Sequence, residues 1–265
     1  VSELGRTQDL WWNLTYALGG LFALTLVLYM VDGRIIDRES VWAKPLKFEA
    51  SLAIHFATLA LSLSAVDLSA KWGKVLFAVA VSSVGATTFE MIYILIQAAR
   101  QQASHFNLSN GFYTAMYVLM AAGAVVITLS AAVVGCAVVI DPKPALAPAV
   151  KWGLGIGLIG GSILTLITAF RMGGALDHHN GLEIANASRM PVTGWSLTVG
   201  DRRVPHFLAT HMMQAVPLAG ILMASIFGAS LGVAVIVVVA AVWTAATLTA
   251  FAQANSGLPF TRLPF

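Results

Sequence analysis

FYTAMYVLMAAGAVVITLSAAVVGCAVV, residues 112–139, runs for 28 residues without one Asp, Glu, Lys or Arg. As a helix rising 1.5 Å per residue it extends about 42 Å, more than the ~30 Å of bilayer hydrocarbon. A helix that is apolar on every side belongs in a large core or in lipid. Six more apolar runs accompany it: 11–31, 46–66, 74–98, 149–171, 206–228 and 231–252. The whole chain of 265 residues is 58% hydrophobic and 10% charged, with a mean hydropathy of +0.82. A soluble domain carries about 25% charged residues to solvate its surface, whereas a lipid-facing surface needs almost none. The expected fold is an all-α polytopic transmembrane bundle of seven helices, one domain over residues 1–265. Only Gly228 to Gly232 separates the last two spans. Without a turn there, the count falls to six spans and a re-entrant segment.

The net charge of +3 and pI near 9.2 are explained by orienting loops, with no call for nucleic acid. Loops 32–45, 99–111 and 172–205 lie on one face with the C-terminus. That face holds Arg34, Arg38, Lys44, Lys47, Arg100, Arg171, Arg189, Arg202, Arg203 and Arg262, against Arg6, Lys71, Lys74, Lys143 and Lys151 opposite. Ten against five predicts the N-terminus out and the C-terminus in. Residues Val1 to Leu10 are polar and show no signal-peptide pattern. The single cysteine, Cys136, excludes an internal disulfide and a Cys-ligated zinc or iron–sulfur site. Trp11, Trp12, Trp72 and Trp152 fall at span ends and are expected as interfacial anchors. Gly153, Gly155, Gly157, Gly160 and Gly161 thin one side of the fifth span, and Gly157 and Gly161 have the small-xxx-small spacing of close helix packing.

Ionisable groups inside a span are costly and mark functional positions. The second span carries a helical-period stripe of Ser51, His55, Thr58 and Ser62, and the third a stripe of Ser83, Thr87, Glu90 and Gln97. The sixth opens with Pro205, His206, Thr210, His211 and Gln214. His206, Thr210 and Gln214 share a face, and His211 lies beside Gln214. His206 and His211, five residues apart, do not. Counted from one membrane face, His55 and Glu90 lie roughly 15 Å deep and His211 roughly 9 Å. The mouth above them offers Trp42, Lys44, Pro45, Arg100, Ser104, His105 and Asn107, with Asp177, His178, His179, Trp195, Asp201, Arg202 and Arg203 from the long loop. The opposite face has only Asp67, Asp141 and a few lysines, which suits a structural end.

Each candidate also has an ordinary role. Glu90 can be neutralised by burial or bonded to a neighbour to fix packing. His55 and His211 can be core histidines with satisfied nitrogens, and the His178-His179 pair reads first as solvated loop. Asp201-Arg202-Arg203 caps the sixth helix, the acid suiting its dipole. Lys44 and Lys47 oppose the dipole of the second span, which favours an anionic partner: a lipid phosphate or a small anionic ligand.

Several resemblances bear on these residues. Retinal proteins share the seven-span plan but need a lysine in the last span, and 231–252 has none, so no retinal is expected. Ser51-x-x-x-His55 resembles one element of the membrane zinc hydrolases related to ceramidases and progestin-type receptors. Glu90 matches the acid that family carries in its third span. The last span lacks the family's histidine pair, which leaves a third of the motif. Lys44-Pro-Leu-Lys-Phe-Glu-Ala-Ser51 and Arg203-Val-Pro-His-Phe-Leu-Ala-Thr210 are alike, and a parallel three-plus-one-plus-three repeat, as in small sugar transporters, would look so. Trp42-x-Lys-Pro-x-Lys-Phe, Ser104-His-Phe-Asn and Asp201-Arg-x-x-x-His-Phe resemble strings in uncharacterised bacterial membrane proteins, which implies a bacterial inner (cytoplasmic) membrane.

Three functions follow as expectations. The first is a membrane-embedded enzyme or redox protein holding a metal ion or haem on His55, Glu90 and His211. Glu90 and His211 would be its catalytic groups, with Glu90 as ligand or general base. Ser51, Gln97, His206 and Gln214 would support that site, and Arg100, His105, Asp201 and Arg202 would form its mouth. The second is a small-solute or proton-coupled transporter using Glu90. The third is a structural subunit whose apolar surface meets other membrane subunits as well as the lipid bilayer.

Overall fold

The computed structural model describes residues 2–67, 70–184 and 186–261. Among these, seven helices are long and apolar enough to cross a membrane: α1 (Glu3–Val31), α2 (Ala43–Ser62), α3 (Ala70–Ala99), α4 (Gly111–Ile140), α5 (Pro148–Ala175), α6 (Arg203–Ile226) and α7 (Ala229–Asn255). The protein is an all-α integral membrane protein with the expected number of spans. Helix α6 ends at Ile226, Phe227 turns extended, and Gly228 starts α7. The short glycine segment therefore does break the chain. Arg262, counted in the charge tally, lies outside the described residues.

Local chemistry sets the helix ends. The Asn110 side chain accepts from the Tyr113 amide at 3.0 Å and starts α4, satisfying one of the free N–H groups every helix start exposes. Pro148 sits in the first turn of α5, where its missing N–H does no harm. Helix α3 closes with Gln101 at φ 53°, the Gln102 amide donating to Gln97 O at 2.8 Å and the Gln101 amide to Ala98 O at 3.0 Å. That is a Schellman-type end with glutamine in the place glycine usually takes. A small antiparallel hairpin precedes α2, and a small antiparallel strand pair joining the ends of a long loop precedes α6. Strands β1 (Ile35–Ile36) and β2 (Glu39–Ser40) turn at Asp37 and Arg38, whose φ values of 49° and 68° match a type I′ turn. Strands β3 (His179–Asn180) and β4 (Gly200–Asp201) pair ahead of α6.

The chain divides into two compact units, Val1–Pro144 with α1 to α4 and Ala145–Phe265 with α5 to α7. In the first, α1 packs on α2 and α3, and α3 on α4. Trp11 is 0% exposed and its Nε1 donates to Ser83 Oγ at 3.2 Å, so it is not the interfacial anchor expected from its place near a span end. Helix α1 begins at Glu3, eight residues earlier than the apolar run suggests, and Trp11 therefore lies two turns inside it. We expect Trp11→Phe to destabilise the protein by about 1–3 kcal/mol through the lost bond and the volume left behind. Trp12→Phe, a half-buried position stacked on Tyr16, should be near neutral. Denaturation in detergent compares the two. At the far end of this unit, Trp72 Nε1 donates to Asp141 Oδ2 at 2.9 Å and the Asp67 amide to Asp141 O at 2.8 Å. These bonds tie the end of α4 to the chain between α2 and α3.

In the second unit, Gly153, Gly157 and Gly161 on α5 face Gly220, Pro217 and Met213 on α6, an antiparallel seam of small residues. Leu164, Ala209, Val216, Ile236 and Ala240 fill the core shared with α7. Large apolar side chains stay exposed along the helices, among them Leu24, Val118, Ile167, Leu222 and Val238. A bilayer solvates such a surface; water does not.

Candidate functional site

Helix α3 carries a column of buried polar atoms with no hydrogen-bond partner among the described residues: Thr87 Oγ1, Glu90 Oε1, Tyr93 OH and Gln97 Oε1. At 100° and 1.5 Å per residue they occupy an arc of about 120° and a length of roughly 15 Å. All four residues are buried. Gln97 Nε2 donates to Ala103 O at 3.1 Å, which fixes the amide and leaves its oxygen unmatched. An unmatched polar atom in low dielectric costs about 1–3 kcal/mol. Four on one stripe of one helix call for water or a polar solute to complete them. Ser83, first in the expected stripe, does not belong with them, because it serves Trp11 and donates to Ala80 O.

Glu90 faces Gly123 of α4, where a Cβ would stand 2.8 Å from Glu90 Oε1. The absence of a side chain at Gly123 makes the room for the carboxylate. Lys44, in the first turn of α2, acts electrostatically on both Glu90 and His105. His105 packs against Phe48 and Tyr117, and its Nδ1 lies 3.2 Å from Ser104 Oγ. Burial, with the Lys44 charge beside it, pushes the His105 imidazole well below its usual pKa, so it is neutral at pH 7. Arg100 donates to Tyr113 OH at 3.2 Å and stays at the exposed rim. Asn107 donates to Ala103 O at 3.3 Å, closing the same loop.

His55 is buried against α4 by Ser130 Oγ, 3.4 Å from its Nε2, and by a backbone hydrogen bond with Ile127. Ser51 stands half-buried one turn before it. Thr58 and Ser62 return their hydroxyls to carbonyls of their own helix at 2.7 and 2.6 Å, so the α2 stripe makes no demand for water. His55 and Glu90 do not meet α4 at one level. Ser130 and Gly123 are seven residues, roughly 10 Å, apart along it. Counting depth from span ends placed them level because it ignores stagger between helices of different length.

Glu49 was not singled out from sequence, yet its side chain is fully buried. Thr25 Oγ1 donates to its Oε1 at 2.8 Å, and Oε2 has no partner among the described residues. The signal was present: a carboxylate one turn inside a span after Pro45. Tyr93 was missed because a tyrosine in an apolar helix looks like ordinary core.

In the second unit, α6 presents a half-buried polar face. His206 Nδ1 lies 3.0 Å from Thr168 Oγ1, Thr165 Oγ1 donates to Thr210 Oγ1 at 3.5 Å, and His211 Nδ1 lies 3.1 Å from Gln214 Oε1. Above this face, Asp201 accepts from Arg203 Nε at 2.9 Å and Nη2 at 2.6 Å, from the Ser196 amide at 2.9 Å and from the Arg203 amide at 3.0 Å. Burial would raise its pKa, but Arg203 and the two amides hold it below the usual carboxylate range. Arg202 donates to the carbonyls of Asp177 and His179 at 3.1 and 2.6 Å and to Asn255 Oδ1 at 3.3 Å. Both residues shape the loop that starts α6, as an acid at a helix N-terminus should. Comparison with protein-family models, with curated proteins and with solved structures finds no match for this chain.

Proposed function

We propose that the protein is a proton-coupled transporter of a small polar solute, with Glu90 as the group that takes up and releases the proton. The α3 column carries this reading: Thr87, Glu90, Tyr93 and Gln97 together offer a path of unmet hydrogen-bonding capacity through roughly half of a bilayer. Glu90 has room beside Gly123, and the Lys44 charge lies within electrostatic reach. Glu49, with one unmatched oxygen, adds a second protonatable group in the same unit. The openings of α2 and α6 support the repeat that such transporters use. Each follows a two-stranded antiparallel pair and carries a proline at its third position, Pro45 and Pro205. By the count of Lys and Arg, the N-terminus faces out and the C-terminus in, and a bacterial inner membrane suits the chain.

The enzyme or redox reading, with a metal or haem on His55, Glu90 and His211, gains no comparable support. Ring nitrogens of both histidines are engaged within their own units, by Ser130 and by Gln214.

The test is uptake into liposomes of radiolabelled sugars, amino acids, carboxylates and amines, with and without an inward proton gradient. The gradient should accelerate uptake of at least one class, and Glu90→Gln should remove that acceleration. Gradient-driven uptake that survives Glu90→Gln overturns the role of Glu90. A haem absorbance band, or a stoichiometric metal that is lost in Glu90→Gln, with no uptake, would favour the redox reading instead.

A further inference from the structure

Asp177, His178 and His179 open the loop between α5 and α6, and each offers one ligand atom within 4.8 Å of the others. Successive residues of a strand point to opposite sides. Here the chain turns through Leu176 at φ 53° before β3 begins, and the two imidazoles come together with ring centroids 4.3 Å apart. The carboxylate is held beside them, because Asp177 Oδ1 accepts from the His179 amide at 2.9 Å and lies 4.0 Å from His179 Nδ1. Neither imidazole is the solvated loop group expected from sequence. His178 is half-buried and the His179 side chain is 10% exposed. Asp177, at 58%, leaves one side open to solvent.

We propose that these three residues form a binding site for a divalent d-block cation of the zinc class, taken from water on the open side of Asp177. Two imidazoles and a carboxylate are the donor set such ions prefer. Donors around a tetrahedral zinc stand about 3.3 Å apart at bond lengths near 2 Å, so closure draws the three side chains together by at most about 1.5 Å. The second observation lies behind His179. Its other nitrogen, Nε2, faces Asp201 Oδ2 at 3.7 Å and Glu183 Oε1 at 4.0 Å. Neither carboxylate is within hydrogen-bonding distance, but an approach of about 0.8 Å by Asp201 would let it accept the Nε2 proton, which fixes the tautomer and aims Nδ1 at the ion. Arg203 Nη2, 3.4 Å from Nε2, is already engaged by Asp201 Oδ2 and Gly194 O. The bound ion would pin the start of the loop. The site shares no residue with the Glu90 column and does not rest on the transport reading.

The experiment uses the full chain, purified without a histidine tag, in lipid nanodiscs. Cobalt(II) is titrated while its visible ligand-field absorbance is followed, and zinc(II) is then added as competitor. We expect one saturable, zinc-displaceable site that persists in Glu90→Gln and is lost in Asp177→Ala and in His178→Ala. Both substitutions are at positions not fully buried, and an unchanged thermal melt shows that each variant is folded. Zinc should also slow tryptic cleavage at Arg189 in the wild type and not in Asp177→Ala. Absence of a saturable site overturns the proposal. So does a site that survives both substitutions or disappears in Glu90→Gln, because the ion then sits elsewhere.

Discussion

Gly157→Leu is expected to abolish stable packing of α5 on α6, seen as a large loss of thermal stability in detergent and rapid proteolysis of the second unit. A Cβ at Gly157 would run into Pro217 Cδ, with Pro217 Cγ at 2.9 Å and Met212 O at 3.2 Å. The proline ring is fused to the α6 backbone and cannot rotate aside. Overpacking a close interface costs about 1–3 kcal/mol, and more when the neighbour is rigid. A membrane bundle has little else to lose, since apolar side chains gain nothing by leaving lipid and helix association relies on close fit. Gly160→Ala should do less harm, because the nearest atom, Met212 Cε at 3.2 Å, is the free end of a flexible side chain. Gly20→Ala should be neutral or slightly stabilising, with nothing within 4 Å of its Cβ. Equal melts for Gly157→Leu and Gly20→Ala would show that the two helices do not approach closely at that seam.

This seam was legible in the sequence, because small residues four apart in an apolar helix have few roles other than close approach. The seven spans were legible for a similar reason. Lipid forces an unbroken apolar run, and even the short break at Phe227 and Gly228 left its glycine in view. What the sequence concealed depends on partners from other helices. Trp11 looks like an anchor until Ser83 is found beside it. Thr58 and Ser62 look like a wet stripe until their own carbonyls take the hydroxyls. Glu90 and Thr87 share their stripe with Ser83, yet only the first two are left unmatched, and the difference is a tryptophan 72 residues away. Depth counted along one helix cannot register the stagger of its neighbours, which is why His55 and Glu90 were read as level. The mouth residues Asp201 and Arg202 were recognisable as charged groups at a helix start. Their bonds to Ser196, Asp177 and His179 depend on how the loop folds back, and no periodicity encodes that.

The sharpest separation between a functional and a structural Glu90 comes from Glu90→Met, a swap of similar volume that removes the carboxylate. If Glu90 held the bundle together through a hydrogen bond, its loss would destabilise by about 1–3 kcal/mol. The geometry predicts the reverse. Glu90 Oε1 has no partner among the described residues, sits against Gly123 and belongs to a column of similarly unmatched atoms. Replacing such a group with a well-packed apolar side chain is expected to leave stability unchanged or raise it by up to about 3 kcal/mol, while proton-driven uptake is lost. Gly123→Ala provides the companion measurement, because its methyl would stand 2.8 Å from Glu90 Oε1. It should impair uptake by crowding the carboxylate. A Glu90→Met variant that melts well below the wild type would assign Glu90 to packing. A variant of equal or higher stability that cannot couple uptake to protons has no explanation in packing, since a costly buried acid is then retained for the proton it carries.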